Sequence, residues 1–399
     1  MSSAPAGSIP ATHAPTVETQ QHAHGPGSPV PVQTRNERFA SAVHDDFPAV
    51  TGRELEWKLT PVEKVRDLID GELDGSAFPA EVSIAPGVSV EWIALDDARV
   101  GSAGLAEERA AANAWSSTEK ALVVTLTSEE HVAVTIDRTG ADRAPRAAHT
   151  VITTAPNARG LVVIDNRGSA RLSENVEIVA QAGSDLTVVS LQEWDDESVH
   201  LSSQFARVDK DARLKHVVVS LGGSVVRVNP SVHLAGSGAD GQLLGLYFAD
   251  AGQHLEQRVY VHHIAPQTIS RVTYKGALNG AGARTVWVGD VLIGREATGT
   301  DSYEQNRNLV LSDGTRADSI PNLEIETGDI AGAGHASATG RFDDEQLFYL
   351  RSRGIDEQEA RRLVVLGFLI DVVQKIGAPE LEQRLIAAIE AELDAVEVV

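Results

Sequence analysis

The chain has 399 residues, and its 34 Lys and Arg stand against 57 Asp and Glu, which gives a formal net charge of −23. This acidic balance repels phosphate backbones and argues against binding to DNA or RNA. The sequence contains no cysteine, which excludes disulfides, thiolate catalysis and any metal cluster held by cysteines of this chain.

Targeting signals are not visible in the sequence. No apolar run approaches the roughly 18 residues of a membrane span, and the N-terminus has no basic segment followed by an apolar one. We therefore expect a soluble, cytoplasmic protein without membrane association.

Residues 1–34 are predicted to form a disordered tail. They hold six of the 16 prolines, no aromatic residue and no Lys or Arg, so they bury too little apolar surface to offset the entropy of ordering. His13, His22 and His24 are metal-binding residue types, but nothing in the tail fixes a coordination geometry. A solvated low-complexity segment explains them better.

Residues 35–120 are predicted to form an N-terminal helical region, because their apolar positions recur with helical spacing. One helix starts near Pro61 and continues through Ile69. Trp57, just before this helix, is interpreted as a core anchor.

Residues 121–340 are predicted to form a β core, because β-branched runs bounded by turn residues replace the helical pattern. The runs are 122–127, 131–136, 161–164, 176–180, 186–191, 214–221, 243–248, 259–262 and 286–293. Strand-opening leucines at Leu186, Leu214 and Leu243 follow one another at 28 and 29 residues, an interval typical of solenoid coils. A mainly β, β-helix solenoid is therefore favoured over a sandwich or jelly roll.

Residues 341–399 are predicted to form a C-terminal helical domain. A first helix ends at Gly354, a second begins at Asp356 with a capping box, and a third opens at Pro379. The segment 363–373 is apolar almost all round. Leu363, Gly367, Ile370 and Gln374 lie on one stripe, which Val364, Phe368 and Val372 widen. It should be buried on two sides, against its own chain or a partner.

Several short motifs are interpreted as structural. The segment 236–241 matches GxGxxG, but a strand-like run follows it where a dinucleotide fold requires a helix. His262 and His263 cannot both face one side of a strand, which makes them a poor metal clamp. No P-loop, HExxH or GxSxG motif is present.

A more specific set of motifs lies between residues 217 and 384. Its members are Leu221-Gly-Gly, Gly245-Leu-Tyr-Phe-Ala-Asp, Gln253-His, Tyr274-Lys-Gly, Thr300-Asp, Gln305-Asn-Arg-Asn-Leu, Leu311-Ser-Asp, Pro321-Asn-Leu-Glu-Ile, Gly334-His and Gln346-Leu-Phe-Tyr-Leu-Arg-Ser-Arg. In order and spacing they resemble the core of the SufB/SufD family, which takes part in iron–sulfur cluster assembly. From the residues alone, Asn306, Arg307 and Asn308 are interpreted as turn-formers between stacked coils.

The resemblance implies a right-handed parallel β-helix flanked by N-terminal and C-terminal α-helical regions. It implies a non-catalytic scaffold subunit of the SufBCD complex, which pairs with a SufB-like subunit through the β-helix and docks the SufC ATPase through its C-terminal helices. The absence of cysteine favours the SufD role, and paired β-helices make a homodimer plausible in isolation. The implied docking residues for SufC are Gln346, Leu347, Phe348, Tyr349, Arg351 and Arg353.

His335 is the residue that the resemblance implies as a ligand, for transient iron or an iron–sulfur cluster at the SufB–SufD interface. None is expected to be tightly bound by this chain alone. Two features depart from the family: Ala333 and Gly334 stand where many SufD chains have Cys-Ser, and the stretch from Glu324 to His335 is one residue longer. Taken without the resemblance, a lone histidine is more often structural.

Three carboxylates near His335 are candidate oxygen ligands. They are Glu324, Glu326 and Asp329, and they are equally explained as solvated strand residues. Two other functions stay open for the chain as a whole. One is a carbohydrate-active β-helix enzyme, which needs paired carboxylates in a groove, and the other is an interaction solenoid without metal.

Overall fold

The structure, a computed structural model, describes residues 21–23, 29–31, 38–140, 142–341 and 344–395. The chain divides into two compact units, Met1–Arg38 and Phe39–Val399. In the first unit, β1 (Gln21–Ala23) pairs antiparallel with β2 (Pro29–Pro31). The remainder of the predicted tail, with His13 and His24, lies outside the described residues.

Among its described residues, the second unit contains two nine-stranded sheets and five α-helices. The first sheet consists of β3 (Glu81–Val82), β6 (Val132–Thr139), β8 (Arg159–Gly168), β10 (Asp185–Trp194), β12 (Arg213–Ser220), β14 (Asp240–Ala249), β16 (Ile269–Leu278), β18 (Thr300–Val310) and β20 (Ile330–Gly340). The second sheet consists of β4 (Val88–Ala94), β5 (Lys120–Leu126), β7 (Pro145–Thr154), β9 (Arg171–Ala180), β11 (Val199–Val208), β13 (Val225–Leu234), β15 (His254–His263), β17 (Arg284–Ile293) and β19 (Arg316–Ile325). The helices are α1 (Val62–Asp70), α2 (Arg109–Ser117), α3 (Asp344–Ser352), α4 (Glu357–Val373) and α5 (Pro379–Ala395).

From β5 onward, the chain alternates between the two sheets, and each strand pairs in parallel with the strand two places later. The result is a mainly β solenoid of about eight turns, flanked by helices, which confirms the predicted fold class. The predicted repeat is correct at its first step, because Leu186 lies opposite Leu214. It is wrong by two residues at the second, because Gly241 lies opposite Leu214. Leu243 is still buried, since a shift of two residues keeps a side chain on the same face.

The lumen between the two sheets holds the largest apolar cluster, to which strands of both sheets contribute. Two tyrosines pack there against glycines of the neighbouring strand. Tyr274 lies opposite Gly245, and Tyr247 lies opposite Gly276. A Cβ atom on Gly276 would lie 1.7 Å from the Tyr247 ring, and one on Gly245 would lie 1.9 Å from the Tyr274 ring. Only glycine leaves room for both rings.

The N-terminal region differs from its prediction: in its described part, from residue 38 on, only α1 and α2 are α-helices, and β3 and β4 lie between them. The segment 88–94 alternates with a period of two, and it pairs antiparallel with β5. Together with β3, which pairs antiparallel with β6, it ends the two sheets on this side of the solenoid. Trp57 is an anchor as predicted: it is 3% exposed, and the Arg227 guanidinium lies 4.0 Å from the centre of its ring.

The C-terminal helices follow the predicted boundaries. Gly354 adopts a positive φ of 88° after α3, and the Asp356 side chain accepts a hydrogen bond from the Glu359 backbone N–H at the start of α4. The buried face of α4 is Val365, Leu366, Leu369, Val372 and Val373.

The stripe predicted on α4 is therefore wrong apart from Val372, which is buried. Gly367 and Gln374 are exposed, and the other predicted positions, Leu363, Val364, Phe368 and Ile370, are half-buried. The helix is packed on two sides, as expected. It packs against the outer face of the first sheet and against α5. No helix in the described part of the chain combines the length and apolar character that crossing a bilayer requires.

We expect Gly276→Ala to lower the free energy of unfolding by about 2 kcal/mol, because the added methyl group displaces the Tyr247 ring in a filled lumen. Chemical denaturation measures the change. Gly332→Ala is the matched control, since its nearest contact would be 3.7 Å away. Equal stability of both variants would show that the lumen tolerates the extra atom.

Candidate functional site

His335 lies on β20, the last strand of the first sheet, and its side chain is 43% exposed. In the described part of the chain, no further strand pairs with β20 or with β19, so both sheets end in open edges here. Small residues precede the histidine, from Ala331 to Gly334. His335 is thus an accessible imidazole at the open end of the solenoid.

The residue opposite His335 on the neighbouring strand β18 is Glu304. Register partners on parallel strands point to the same side of the sheet, and the His335 Nδ1 atom lies 3.7 Å from the Glu304 Oε1 atom. Glu304 is 1% exposed and faces the lumen, so His335 faces the open end of that lumen. Neither carboxylate oxygen of Glu304 has a hydrogen-bond partner within the described residues.

Burial raises the pKa of Glu304 to about 8, and the negative charge of Asp290 adds to the shift. The backbone N–H of Asn322 opposes the shift without reaching hydrogen-bonding geometry. Glu304 is therefore largely protonated at neutral pH.

Other buried carboxylates of the solenoid are paired. Glu174 contacts Arg138 and accepts a hydrogen bond from His200, with 3.0 Å between Oε1 and Nε2. Burial alone would raise the pKa of Glu174, but the charge of Arg138 holds it well below its usual range. Glu177 pairs with the His149 imidazole in the same way, at 2.8 Å. Such pairing is what structural burial of a carboxylate requires, and Glu304 lacks it.

A β-bulge brings His335 opposite Glu304. Thr300 pairs with Ile330, but the next residue, Asp301, pairs with Gly332, so Ala331 is an extra residue in β20. If Ala331 paired regularly with Asp301, Gly334 would lie opposite Glu304, and the His335 side chain would point to the other face. The bulge therefore absorbs one residue of the stretch before His335 and leaves the ring facing the lumen.

The inward face of β18 is polar from Thr300 to Asn308. Its residues are Thr300, Ser302, Glu304, Asn306 and Asn308, all of them buried. The prediction that Asn306, Arg307 and Asn308 form a turn is wrong, because they lie within the strand. The Asn306 side-chain N–H donates to the Tyr247 hydroxyl, and that hydroxyl donates to Asn308. The amides thus satisfy one another in the lumen.

The three other candidate ligands are not gathered at His335. Glu326 lies 3.9 Å from Arg295, Asp329 lies in the turn before β20, and Glu324 lies near the end of β19, opposite Leu292. No group of three or more His, Asp or Glu side chains in the described residues has metal-binding geometry.

Sequence reasoning missed Glu304. The available signal was the alternation of polar residues along 300–308, which places a carboxylate on the buried face of a strand.

The residues predicted to dock an ATPase lie on or just after α3. Leu347 is 7% exposed, whereas Phe348 and Tyr349 are 75% and 57% exposed. The Arg353 guanidinium lies 5.2 Å from the centre of the Tyr349 ring, and Arg351 forms an ion pair with Glu357 at 3.1 Å. The Gln346 side chain lies outside the described residues.

The motifs interpreted as structural lie in a turn and on a strand of the solenoid. The segment 236–241 forms a turn with Gly238 at a φ of 74°, and a strand follows it. His263 lies in the lumen, bonded to Thr268 and Ser270. His262 faces outward, with its ring 5.8 Å from that of His233.

We expect Glu304 to make the protein less stable as the pH rises. Below about pH 4.5, folded and unfolded chains both carry a protonated carboxyl group; between 4.5 and 8, only the unfolded chain releases the proton, so stability falls. Replacing the residue in Glu304→Gln removes this effect. The unfolding free energy of the variant, relative to the unmodified protein, should rise by about 3 kcal/mol from pH 5 to pH 7. A pH-independent difference in denaturation experiments would contradict the raised pKa.

Comparisons with known proteins agree with this architecture. Residues 137–368 match the family described as SUF system FeS cluster assembly, SufBD core domain. An iron–sulfur cluster assembly SufBD family protein of Mycobacterium leprae is 49% identical over 381 residues, covering 93% of this chain and 97% of its own. One of Mycobacterium tuberculosis H37Rv is 50% identical over 375 residues, covering 91% and 94%.

A second SufBD family protein of M. leprae is 30% identical over 201 residues, which is 50% of this chain and 23% of that protein. The family match covers more than half of the chain, and the longer alignments extend over nearly all of it. The chain therefore belongs to the SufBD family of iron–sulfur cluster assembly proteins.

Proposed function

We propose that this chain is a non-catalytic scaffold subunit of a SufBCD-type complex, in the SufD role. It pairs with a SufB-like subunit through the open end of its solenoid and docks a SufC-type ATPase through its C-terminal helices. His335 supplies one ligand to iron or a nascent cluster at the subunit interface. The observation that carries the proposal is an accessible histidine on the last coil, beside the open edges of both sheets.

The two ends of the solenoid differ, and this supports pairing at one of them. At one end the two sheets finish in the antiparallel strands β3 and β4, of which β3 has only two residues. At the other end, β19 and β20 expose backbone N–H and C=O groups to which a strand of another chain can bond. A SufB-like solenoid with a matching end satisfies these groups and covers His335. The same edges would join two copies of this chain when the partner is missing.

The surface of α3 supports docking of an ATPase. Phe348 and Tyr349 are large exposed aromatic side chains on adjacent positions, and Arg353 lies against the Tyr349 ring. Aromatic residues and arginine are enriched at the centres of protein interfaces. Because α4 and α5 are fixed to the first sheet, for example by the bond from Lys215 Nζ to the Ile376 carbonyl, movement of the ATPase would be transmitted to the solenoid.

One imidazole does not hold iron or a cluster by itself, so the remaining ligands must come from the partner. Since the Nδ1 atom of His335 faces Glu304, the Nε2 atom is left to bind the metal. The cluster in this proposal is cargo that is assembled and released, and this chain contributes shape, two docking surfaces and one ligand.

Co-expression with the SufB-like and SufC-like proteins of the same organism tests the scaffold role. We expect a complex with one copy of this chain, one SufB-like chain and two ATPases, measured by mass in solution. The double substitution Phe348→Ala/Tyr349→Ala should remove one ATPase copy and leave SufB pairing and the unfolding free energy unchanged, because both rings are exposed. Ile84→Ala, at a position that is 80% exposed, is the control. A chain that stays alone or pairs only with itself would refute the scaffold role.

The substitution His335→Ala tests the ligand role. We expect the complex to assemble normally, with its yield of reconstituted cluster reduced about tenfold or more, because one ligand is lost. Absorption and iron content after anaerobic reconstitution measure the yield. Ser337→Ala changes the next inward position of the same strand and should leave the yield intact. An equal yield in the two variants would remove His335 from the site.

A further inference from the structure

We propose that Glu304 is a positioning residue for His335: its carboxyl oxygen Oε1 accepts the Nδ1–H of the imidazole and thereby directs Nε2 to the metal at the subunit interface. This inference rests on the proposed ligand role of His335. The proposal adds the buried carboxyl group of Glu304 to a site for which the sequence indicated only His335.

The backbone register supports a functional pairing of Glu304 with His335. Glu304 and His335 are direct partners on β18 and β20, and this partnership exists because the bulge at Ala331 shifts the register by one residue. Bulges are over-represented beside functional sites, where they redirect a side chain. The distance of 3.7 Å between Nδ1 and Oε1 is longer than a hydrogen bond. Because His335 is 43% exposed, a small rotation of its ring closes this distance.

The surroundings of Glu304 support a role other than packing. Neither of its oxygens is bonded within the described residues, although it is 1% exposed. A carboxyl group buried without a partner destabilises the fold, and an apolar side chain of similar volume would be favoured at such a position. Space is nevertheless kept for it: a Cβ atom on Gly289 would lie 2.4 Å from the Glu304 Oε2 atom.

The chemistry of metal-binding histidines explains this arrangement. A histidine that binds a metal through one ring nitrogen usually donates the other N–H to a carboxylate or carbonyl, which fixes the tautomer and the ring orientation. In solution, a neutral imidazole distributes its proton between the two nitrogens. An accepting carboxyl oxygen beneath Nδ1 selects the tautomer in which Nε2 carries the free lone pair, before any metal arrives.

Two measurements test the proposal. The first is the tautomer of His335 in the full chain, from ¹⁵N NMR of histidine-labelled protein, with the resonance assigned by its loss in His335→Ala. We expect the Nδ1–H form to dominate, to persist in Glu304→Gln, whose amide oxygen still accepts, and to give way to the Nε2–H form in Glu304→Leu. Gln305→Leu, at the next position of β18, is the control and should leave the tautomer unchanged.

The second measurement is anaerobic titration of Fe²⁺ into the complex assembled with the SufB-like and SufC-like chains. Glu304→Leu should weaken binding about 10- to 100-fold. The double variant Glu304→Leu/His335→Ala should bind no more weakly than His335→Ala, because the carboxylate acts through the ring.

An unchanged tautomer in Glu304→Leu, or penalties that add in the double variant, would overturn the proposal. Normal Fe²⁺ binding by His335→Ala would instead refute the ligand role of the histidine. In that case the NMR result still decides whether Glu304 orients the ring.

Discussion

The parallel hydrogen-bonded ladder between successive coils is the constraint on which the rest of this structure depends. Each coil places one strand in each sheet, and the register of one strand is set by the strand before it. A shift of one residue would turn every inward side chain outward. The lumen shows how narrow the tolerance is, since Tyr247 and Tyr274 fit only because glycines lie opposite them. These registers, together with the bulge at Ala331, set the position of His335 at the end of the solenoid.

Some buried ionisable groups of the solenoid are paired with opposite charges, whereas Glu304 is not. Beneath the N-terminal segment, Arg227 lies against Trp57 and forms ion pairs with Glu108 and Glu256, so the burial of these charges is compensated and the segment is held to the second sheet. Glu304 is buried without compensation, one strand below the open end. In the first case charge serves folding. In the second case, Glu304 destabilises the fold, which is typical of residues retained for function.

The asymmetry of the two ends connects architecture with assembly. A solenoid exposes edges wherever it stops, and edges that are not covered invite pairing with other chains. Here the sheets finish in the antiparallel strands β3 and β4 at one end, and in the longer parallel strands β19 and β20 beside His335 at the other. The C-terminal helices pack along the side of the first sheet rather than over the open end. A partner solenoid and a partner that docks on α3 therefore have separate surfaces.

The sequence by itself determined the solenoid, the C-terminal helix boundaries and the family resemblance, because these depend on local signals: β-branched runs, the Asp356 cap, Gly354 and an ordered set of motifs. It also identified His335 and the aromatic pair of α3, Phe348 and Tyr349, as candidate site residues. The strands β3 and β4 were missed, since short alternating segments next to helical ones carry little local signal. Asn306 and Asn308 were assigned to a turn because their side chains favour turns locally, whereas in the lumen they satisfy one another. The pairing of Glu304 with His335 was decided by tertiary structure alone. The two residues lie 31 positions apart in the chain, and only the coil register and the Ala331 bulge bring the carboxyl group and the imidazole together.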